Sequence, residues 1–331
     1  MTEFERPGLS ADAVVLCGRG DDMRLLVIER GRDPYRGRSA LPGGFVEKDE
    51  LLREAVVREL REETGLSLPA AAGLPLTLRA AKGRDPRGWT VSLPYLFWLP
   101  QPESVAGGDD ATRADWVALR DIGELAFDHG AMLCEALGRF WAGMPGSEPF
   151  LARATHAYGV PAPEDECPVF FGGTFAPWHD GHRAVIETCP ARQRVVVVPD
   201  YNPFKGALQV PCAFARYRAL RMAIKDLGVS VYPGFCGRED PNPTYFWLRQ
   251  LNRRASLLVG ADSLMAIHTW AESTALLGLI DELFIAQRGV DHAAMRAQVE
   301  ALLRKTPSLK VHLQANHAHE LVSSTALRSK K

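Results

Sequence analysis

Three glutamates, Glu59, Glu62 and Glu63, are spaced i, i+3 and i+4 in a stretch of helical periodicity, so their carboxylates project from one helix face. Like charges at that density repel one another unless a cation lies among them. Carboxylate oxygens are hard ligands suited to Mg2+ or Mn2+. An ion of that kind, bridging a diphosphate, neutralises charge on the leaving phosphate and lowers the pKa of an attacking water. The chemistry implied is hydrolysis of a phosphoanhydride. A solvated charged face is the plainer reading of an isolated run such as RELREE. That reading leaves the flanking glycines and Arg58 unexplained.

A second group lies far along the chain. Gly172, Gly173, Thr174 and Phe175 follow a predicted strand, and His179 and His182 lead into a predicted helix. Glycines permit close backbone approach to phosphates, and a helix N-terminus offers N–H groups and a positive dipole end to an anion. Two histidines three apart could instead ligate a metal or sit on the surface, but no further ligand cluster supports zinc. Near the C-terminus Ser323, Ser324 and Thr325 are hydroxyl residues of the kind that cap a helix or bind phosphate oxygens. Arg328, one turn on, supplies a forked cation.

The residues Gly44, Glu50, Arg58, Glu59, Leu60, Glu62, Glu63, Gly65 and Leu66 satisfy the complete Nudix box, and this part of the chain resembles the Nudix family. The resemblance implies that the Gly44 carbonyl joins Glu59, Glu62 and Glu63 at the metal and that Arg58 orients the glutamates. The catalytic base varies between subfamilies and is left unassigned. Arg32–Gly44, the RDPRGW segment holding Arg84 and Arg87, and Leu125–His129 resemble the ADP-ribose pyrophosphatase branch, which implies ADP-ribose as substrate with AMP and ribose 5-phosphate as products. RDPRG taken alone is equally a turn with Pro and Gly in their usual places.

The segment from Gly172 to His182 resembles the G-x-F-x-P-x-H-x-G-H loop of nucleotidyltransferases, and SSTALR from Ser323 to Arg328 supplies a second landmark of that family. The resemblance narrows to nicotinate- or nicotinamide-nucleotide adenylyltransferases through the PDYNPFK segment carrying Lys205 and through Gly260–Ser263 with Trp270. It implies that His179 and His182 address the triphosphate of ATP, that Asp262 lies near the adenosine side, and that Trp270 lies near the pyridine ring. Trp270 reads equally well as core packing, and Arg288 as either a phosphate ligand or a solvated charge. Ala176 stands where that family usually has Asp, and Phe204 where it commonly has His.

Periodicity supplies the elements that would hold these residues. Ala13–Cys17 and Leu25–Ile28 read as a strand pair, Glu50–Thr64 as an amphipathic helix closed by Gly65, and Leu76–Ala81, Val91–Leu99 and Trp116–Leu119 as further strands. Ala126–Phe140 reads as a second helix. Ala142–Pro168, rich in proline and glycine, has the composition of a linker. Beyond it, apolar runs at Val169–Phe171, Val195–Val198, Leu257–Val259 and Leu283–Ala286 alternate with helical stretches at Ala213–Leu227 and Ala293–Leu303, the rhythm of a parallel sheet. The fold class expected is α/β: a Nudix α/β/α sandwich with a mixed sheet over 1–145, a linker over 146–166, and a doubly wound nucleotidyltransferase fold over 167–331.

With 331 residues, two domains are the default. Lys and Arg number 39 against 40 Asp and Glu, so no net field steers the chain to nucleic acid or an anionic membrane. Six scattered cysteines read as reduced thiols of a cytosolic protein, and no apolar run approaches the about 20 residues of a membrane span. The expectation is a cytoplasmic bifunctional enzyme of NAD metabolism. Its partners would be small nucleotides, its cofactor Mg2+ or Mn2+ and one substrate ATP; homo-oligomerisation stays open. The rival expectation is an adenylyltransferase regulated by a Nudix domain that senses ADP-ribose or NAD without hydrolysing it.

Overall fold

The computed structural model describes residues 6–18, 22–142, 167–200, 213–238, 241–251, 254–287 and 291–315. The chain divides into two compact units, one built on Met1–Trp141 and the other containing Tyr217–Lys331 together with the described residues from 167 to 200. Lys205, Ser323, Ser324, Thr325 and Arg328 lie outside the described residues, as do Phe204, Arg288 and the 146–166 segment.

In the first unit, β1 (Gly8–Cys17) runs parallel to β6 (Thr90–Leu99) over its whole length, from Gly8↔Thr90 to Cys17↔Leu99. Every other pairing is antiparallel. On its other side β1 meets β2 (Arg24–Arg30) and β4 (Gly43–Phe45); β2 in turn carries β3 (Ser39–Ala40) and β7 (Ala111–Ala118), and β5 (Leu74–Pro75) closes on β6. The result is a seven-stranded mixed sheet.

Helix α1 (Leu52–Thr64) covers one face. Its Ala55, Val56 and Leu60 pack on Ala11, Ala13, Val15 and Cys17 of β1 and on Tyr95, Phe97 and Leu99 of β6. Because side chains alternate along a strand, Asp12 points to the opposite face, where it meets His129 at the start of helix α2 (His129–Ala142). Gly65 ends α1 in the left-handed conformation at φ 73°, as the sequence suggests.

Several boundaries differ from expectation: β1 and β7 begin earlier, at Gly8 and Ala111, and three further differences have a local reason. Helix α1 begins at Leu52 rather than Glu50, because the Glu50 carboxylate accepts the Glu47 N–H and pairs with Arg58, while Glu54 takes the Leu51 N–H. Of the strand expected over Leu76–Ala81 only a single bridge at Arg79 forms, β5 having ended at Pro75, since the Thr77 N–H is bound by the Glu135 carboxylate of α2 instead of a strand neighbour. Helix α2 starts at His129 rather than Ala126 because Phe127, at φ 51°, adopts a conformation that no right-handed helix contains.

The second unit is a six-stranded, wholly parallel sheet. In chain order it comprises β8 (Val169–Gly173), α3 (Asp180–Glu187), β9 (Val195–Pro199), α4 (Ala213–Ala223), β10 (Ser230–Val231), α5 (Thr244–Leu248) and β11 (Ala255–Gly260). There follow α6 (Ala261–Ala266), α7 (Ser273–Gly278), β12 (Ile280–Ala286), α8 (His292–Lys305) and β13 (Lys310–Leu313). Spatially the strands run β10-β9-β8-β11-β12-β13, so the order reverses between β8 and β11. All five residues of β9 are buried, as befits a strand covered on both faces. This is the doubly wound arrangement, in which ligands bind beyond the carboxyl ends of the strands at the reversal point.

Leu60 is wholly buried between α1 and the first sheet. Leu60→Ala is expected to cost about 2–5 kcal/mol, read as accelerated amide exchange across α1 and β1 with protection in β8 and β11 unchanged.

Candidate functional site

Two glycines allow α1 to bring its acids against the first sheet. A side chain on Gly44 would collide with the Glu59 carboxylate, and one on Gly43, at φ 154°, would run into Ala11 and Asp12. The Gly43 N–H donates to Glu63 Oε2 at 2.9 Å. Arg58 acts as the internal counter-cation: it donates to both oxygens of Glu50 (2.8 and 3.0 Å), to Glu59 Oε1 (2.9 Å), to Glu62 Oε2 (3.0 Å) and to the Phe45 carbonyl. Those bonds hold Glu50 below its ordinary pKa. Arg58 thus binds Glu50, Glu59 and Glu62 at once.

Glu59 and Glu63 face a cleft of about 360 Å3; Glu62 stays outside its lining, more exposed and held by Arg58. Asp12 and Asp109 line the same cleft. Burial raises the pKa of Glu59. Burial also pushes Glu63 up to about 8; the Gly43 N–H and Arg30 oppose the shift, while Glu59 and Asp12 add to it. Among the described residues no three acidic, histidine or cysteine side chains are gathered as a ready-made metal cage. A divalent cation nevertheless fits this wall, because Glu59 and Glu63 are hard oxygen donors that burial and mutual repulsion leave short of positive charge.

Basic side chains line the rest of the cleft. Arg32, Arg84 and Arg87, the three arginines singled out in the sequence, all reach it, and Arg30 joins them. Arg84 is buried and makes a two-pronged pair with Asp128 (2.7 and 3.1 Å); burial works against its charge, and Asp128 outweighs that cost. Arg87 pairs with Asp85 at 2.7 Å, and its guanidinium lies 5.1 Å from the Phe45 ring centroid and 5.4 Å from that of Phe127. Arg32 is tied only to Asp110 at the exposed rim. One cleft is therefore lined by carboxylates, guanidinium groups and two aromatic rings. Asp12, Asp85, Asp128 and His129 were not singled out individually in the sequence, although the last three fall in segments that were.

In the second unit, β8 ends at Gly173, and Thr174 and Phe175 are buried in the loop that follows. Phe175 adopts φ 46°, an uncommon conformation for a bulky residue. The His179 carbonyl accepts the His182 N–H and starts α3, and the two imidazoles stack at 3.7 Å with a 21° interplanar angle. The rings of Phe175 and Trp178 pack against His182 at 5.0 and 5.2 Å. Beyond the end of adjacent β11, Asp262 occupies the first turn of α6. The loop from Gly172 to His182 and Asp262 thus flank the point where strand order reverses. Trp270 is half-buried after the turn Ile267–Thr269, farther along the chain from that point. At the end of β9 the Asp200 carboxylate accepts from Asn242 at 2.8 Å, a polar pair that the sequence did not suggest.

Residues 7–135 match the model of the NUDIX domain family. The chain is 41% identical over 126 residues to the ADP-ribose pyrophosphatase of Methanocaldococcus jannaschii, covering 38% of this chain and 70% of that protein. It is also 32% identical over 108 residues to a protein of Sulfurimonas denitrificans named "Probable nicotinate-nucleotide adenylyltransferase", covering 30% of this chain and 59% of the relative. A solved structure from Francisella tularensis, titled a bifunctional NMN adenylyltransferase/ADP ribose pyrophosphatase complexed with AMP and a Mn ion, is 30% identical. The match covers 38% of this chain and 39% of that one at a TM-score of 0.33, too low for the likeness of shape to carry weight.

A cation binding at the acidic wall must displace the proton held by Glu63. Protonated Glu63 predominates below about pH 8 and competes with the ion, so apparent Mn2+ affinity is expected to rise with pH toward that value and then to level, with proton release on binding. Calorimetry at pH 7 in two buffers of different ionisation enthalpy checks this; identical heats contradict it.

Proposed function

The chain belongs to the Nudix family through residues 7–135, and on that premise we propose that its first unit hydrolyses ADP-ribose, or a related nucleoside diphosphate derivative, to AMP and ribose 5-phosphate. The observation that carries the reading is that Glu59, Glu63, Arg84 and Arg87 line one cleft. Arg84 and Arg87, which line it, would take the diphosphate, and Phe45 and Phe127 would pack against a flat base or sugar. Glu59 and Glu63, with the Gly44 carbonyl, would hold Mg2+ or Mn2+, and Glu62 would enter through the Arg58 network. The ion when bound supplies charge neutralisation and a more acidic water. Arg58 keeps the glutamates in register, and Glu63 gives up its proton when the site is loaded.

For the second unit we propose adenylyl transfer from ATP to nicotinate or nicotinamide mononucleotide, giving the dinucleotide and pyrophosphate. Its supports are the parallel sheet whose strand order reverses beside Gly173, the stacked His179–His182 pair at the start of α3, and the similarity to nicotinate-nucleotide adenylyltransferases. Both imidazoles would donate to phosphate oxygens, and in-line attack by the mononucleotide phosphate on the α-phosphorus needs no protein nucleophile. Lys205, Ser323, Ser324, Thr325 and Arg328 would complete the phosphate contacts, and Asp262 and Trp270 the nucleoside contacts. The division proposed is 1–145 for the hydrolase, 146–166 for the linker and 167–331 for the transferase, a pairing that joins ADP-ribose disposal to NAD synthesis.

Incubation of the whole chain with ADP-ribose and Mg2+ or Mn2+ is expected to yield AMP, with Glu59→Gln slower by about 100-fold or more. Thermal stabilisation by ADP-ribose without AMP release would replace the hydrolase with a sensor. Incubation with ATP, Mg2+ and each mononucleotide is expected to yield dinucleotide, with His182→Ala slower by about 100-fold; product at the level of that variant would remove the transferase reading.

A further inference from the structure

Asp12 is a carboxylate 7% exposed at the floor of the first unit's cleft. A buried carboxylate needs donors, and two side chains stand beside this one. The wholly buried Ser92 hydroxyl donates to Oδ2, and His129 Nε2 lies 3.5 Å from Oδ1. The other ring nitrogen of His129 accepts the Leu41 N–H at 2.9 Å. That bond fixes the tautomer: with Nδ1 an acceptor, the proton of the neutral ring sits on Nε2 and faces Asp12.

Leu41 and Gly43 lie two residues apart in one extended stretch, and each spends its N–H on a side chain of the site, Leu41 on His129 and Gly43 on Glu63. Between them the Pro42 carbonyl accepts the Ala13 N–H of β1. Gly44 then continues into β4 against the Glu59 carboxylate. Both glutamates are therefore seated against this short stretch, and His129 binds its leading end. The residues before His129 are fixed as well: Asp128 by Arg84, and Phe127 by rings and guanidinium groups of Tyr35, Arg30 and Arg87.

We infer that His129 is a positioning residue of the hydrolytic site: it ties the Leu41 N–H to the Asp12 carboxylate through its two ring nitrogens and so sets the turn against which Glu59 and Glu63 are seated. The inference rests on the hydrolase reading of the first unit. His129 touches no reacting atom, and its effect passes through the Leu41–Gly44 backbone.

The test compares His129→Leu, which keeps bulk and removes the acceptor, with His129→Asn, whose side-chain oxygen can still accept the Leu41 N–H. In the full-length chain with Mn2+ and ADP-ribose, His129→Leu is expected to lower kcat about 10- to 100-fold while leaving KM close to that of the parent, and His129→Asn to recover most of the loss. Independently of turnover, amide exchange at Leu41 and Gly43 is expected to be slow in the parent, fast in His129→Leu and slow again in His129→Asn. A kcat for His129→Leu within about twofold of the parent, unaltered exchange at both amides, or an Asn variant no better than Leu overturns the inference. Should His129→Leu not fold, His129→Phe replaces it, keeping a ring without a hydrogen-bond acceptor for Leu41; equality of the Phe and Asn variants then overturns it. Slow amides in a parent protein that releases no AMP would defeat the hydrolase reading while leaving the clamp standing.

Discussion

Between β3 and α1 the chain passes through Gly43 and Gly44, and the acidic half of the first unit is arranged around the side chains those two positions lack. Glu59 lies where a Cβ on Gly44 would be, Asp12 lies where one on Gly43 would be, and Glu63 is bound by the Gly43 N–H. The apolar face of α1, seated on β1 and β6 through Val56 and Leu60, delivers the glutamates to that gap. Packing and site are thus one construction. The residues that bury the helix determine its height above the sheet, and that height decides which carboxylates meet the glycine turn.

The energetic consequence is a cluster of acids that would be costly without opposing charge. Arg58 answers part of it by binding Glu50, Glu59 and Glu62 together, but its hydrogen bonds do not reach Glu63, whose pKa burial pushes up to about 8. In the same cleft Arg84 and Arg87 are each already paired, with Asp128 and Asp85. These pairs hold the guanidinium groups in place before any ligand arrives, which reduces the ordering cost of binding a diphosphate.

What could be read from the sequence follows the range of the interaction concerned. The three glutamates, Arg58 and the Gly65 stop lie within a few helical turns, and the period of α1 makes them legible; the alternating runs of the second unit likewise announce a parallel sheet. Arg32, Arg84 and Arg87 were legible only as members of short segments, with nothing to say that they share one cleft. The Asp12–Ser92 and Leu41–His129 bonds were not legible at all, because they join residues 80 and 88 positions apart on different elements. The two misplaced boundaries near α2 have the same origin: the Thr77 N–H leaves the sheet for a carboxylate 58 residues away, and the left-handed turn at Phe127 interrupts a stretch whose composition suits a helix.

The proposed function puts a diphosphate in the cleft that Glu59, Glu63, Arg84 and Arg87 line. The most direct measurement is a crystal structure of the chain with Mn2+ and an ADP-ribose analogue whose bridging oxygen is replaced by methylene. An anomalous Mn2+ signal is expected within coordination distance of Glu59 and Glu63, with the diphosphate facing Arg84 and Arg87. An ordered ligand elsewhere in the chain, with no Mn2+ signal at either glutamate, would contradict it.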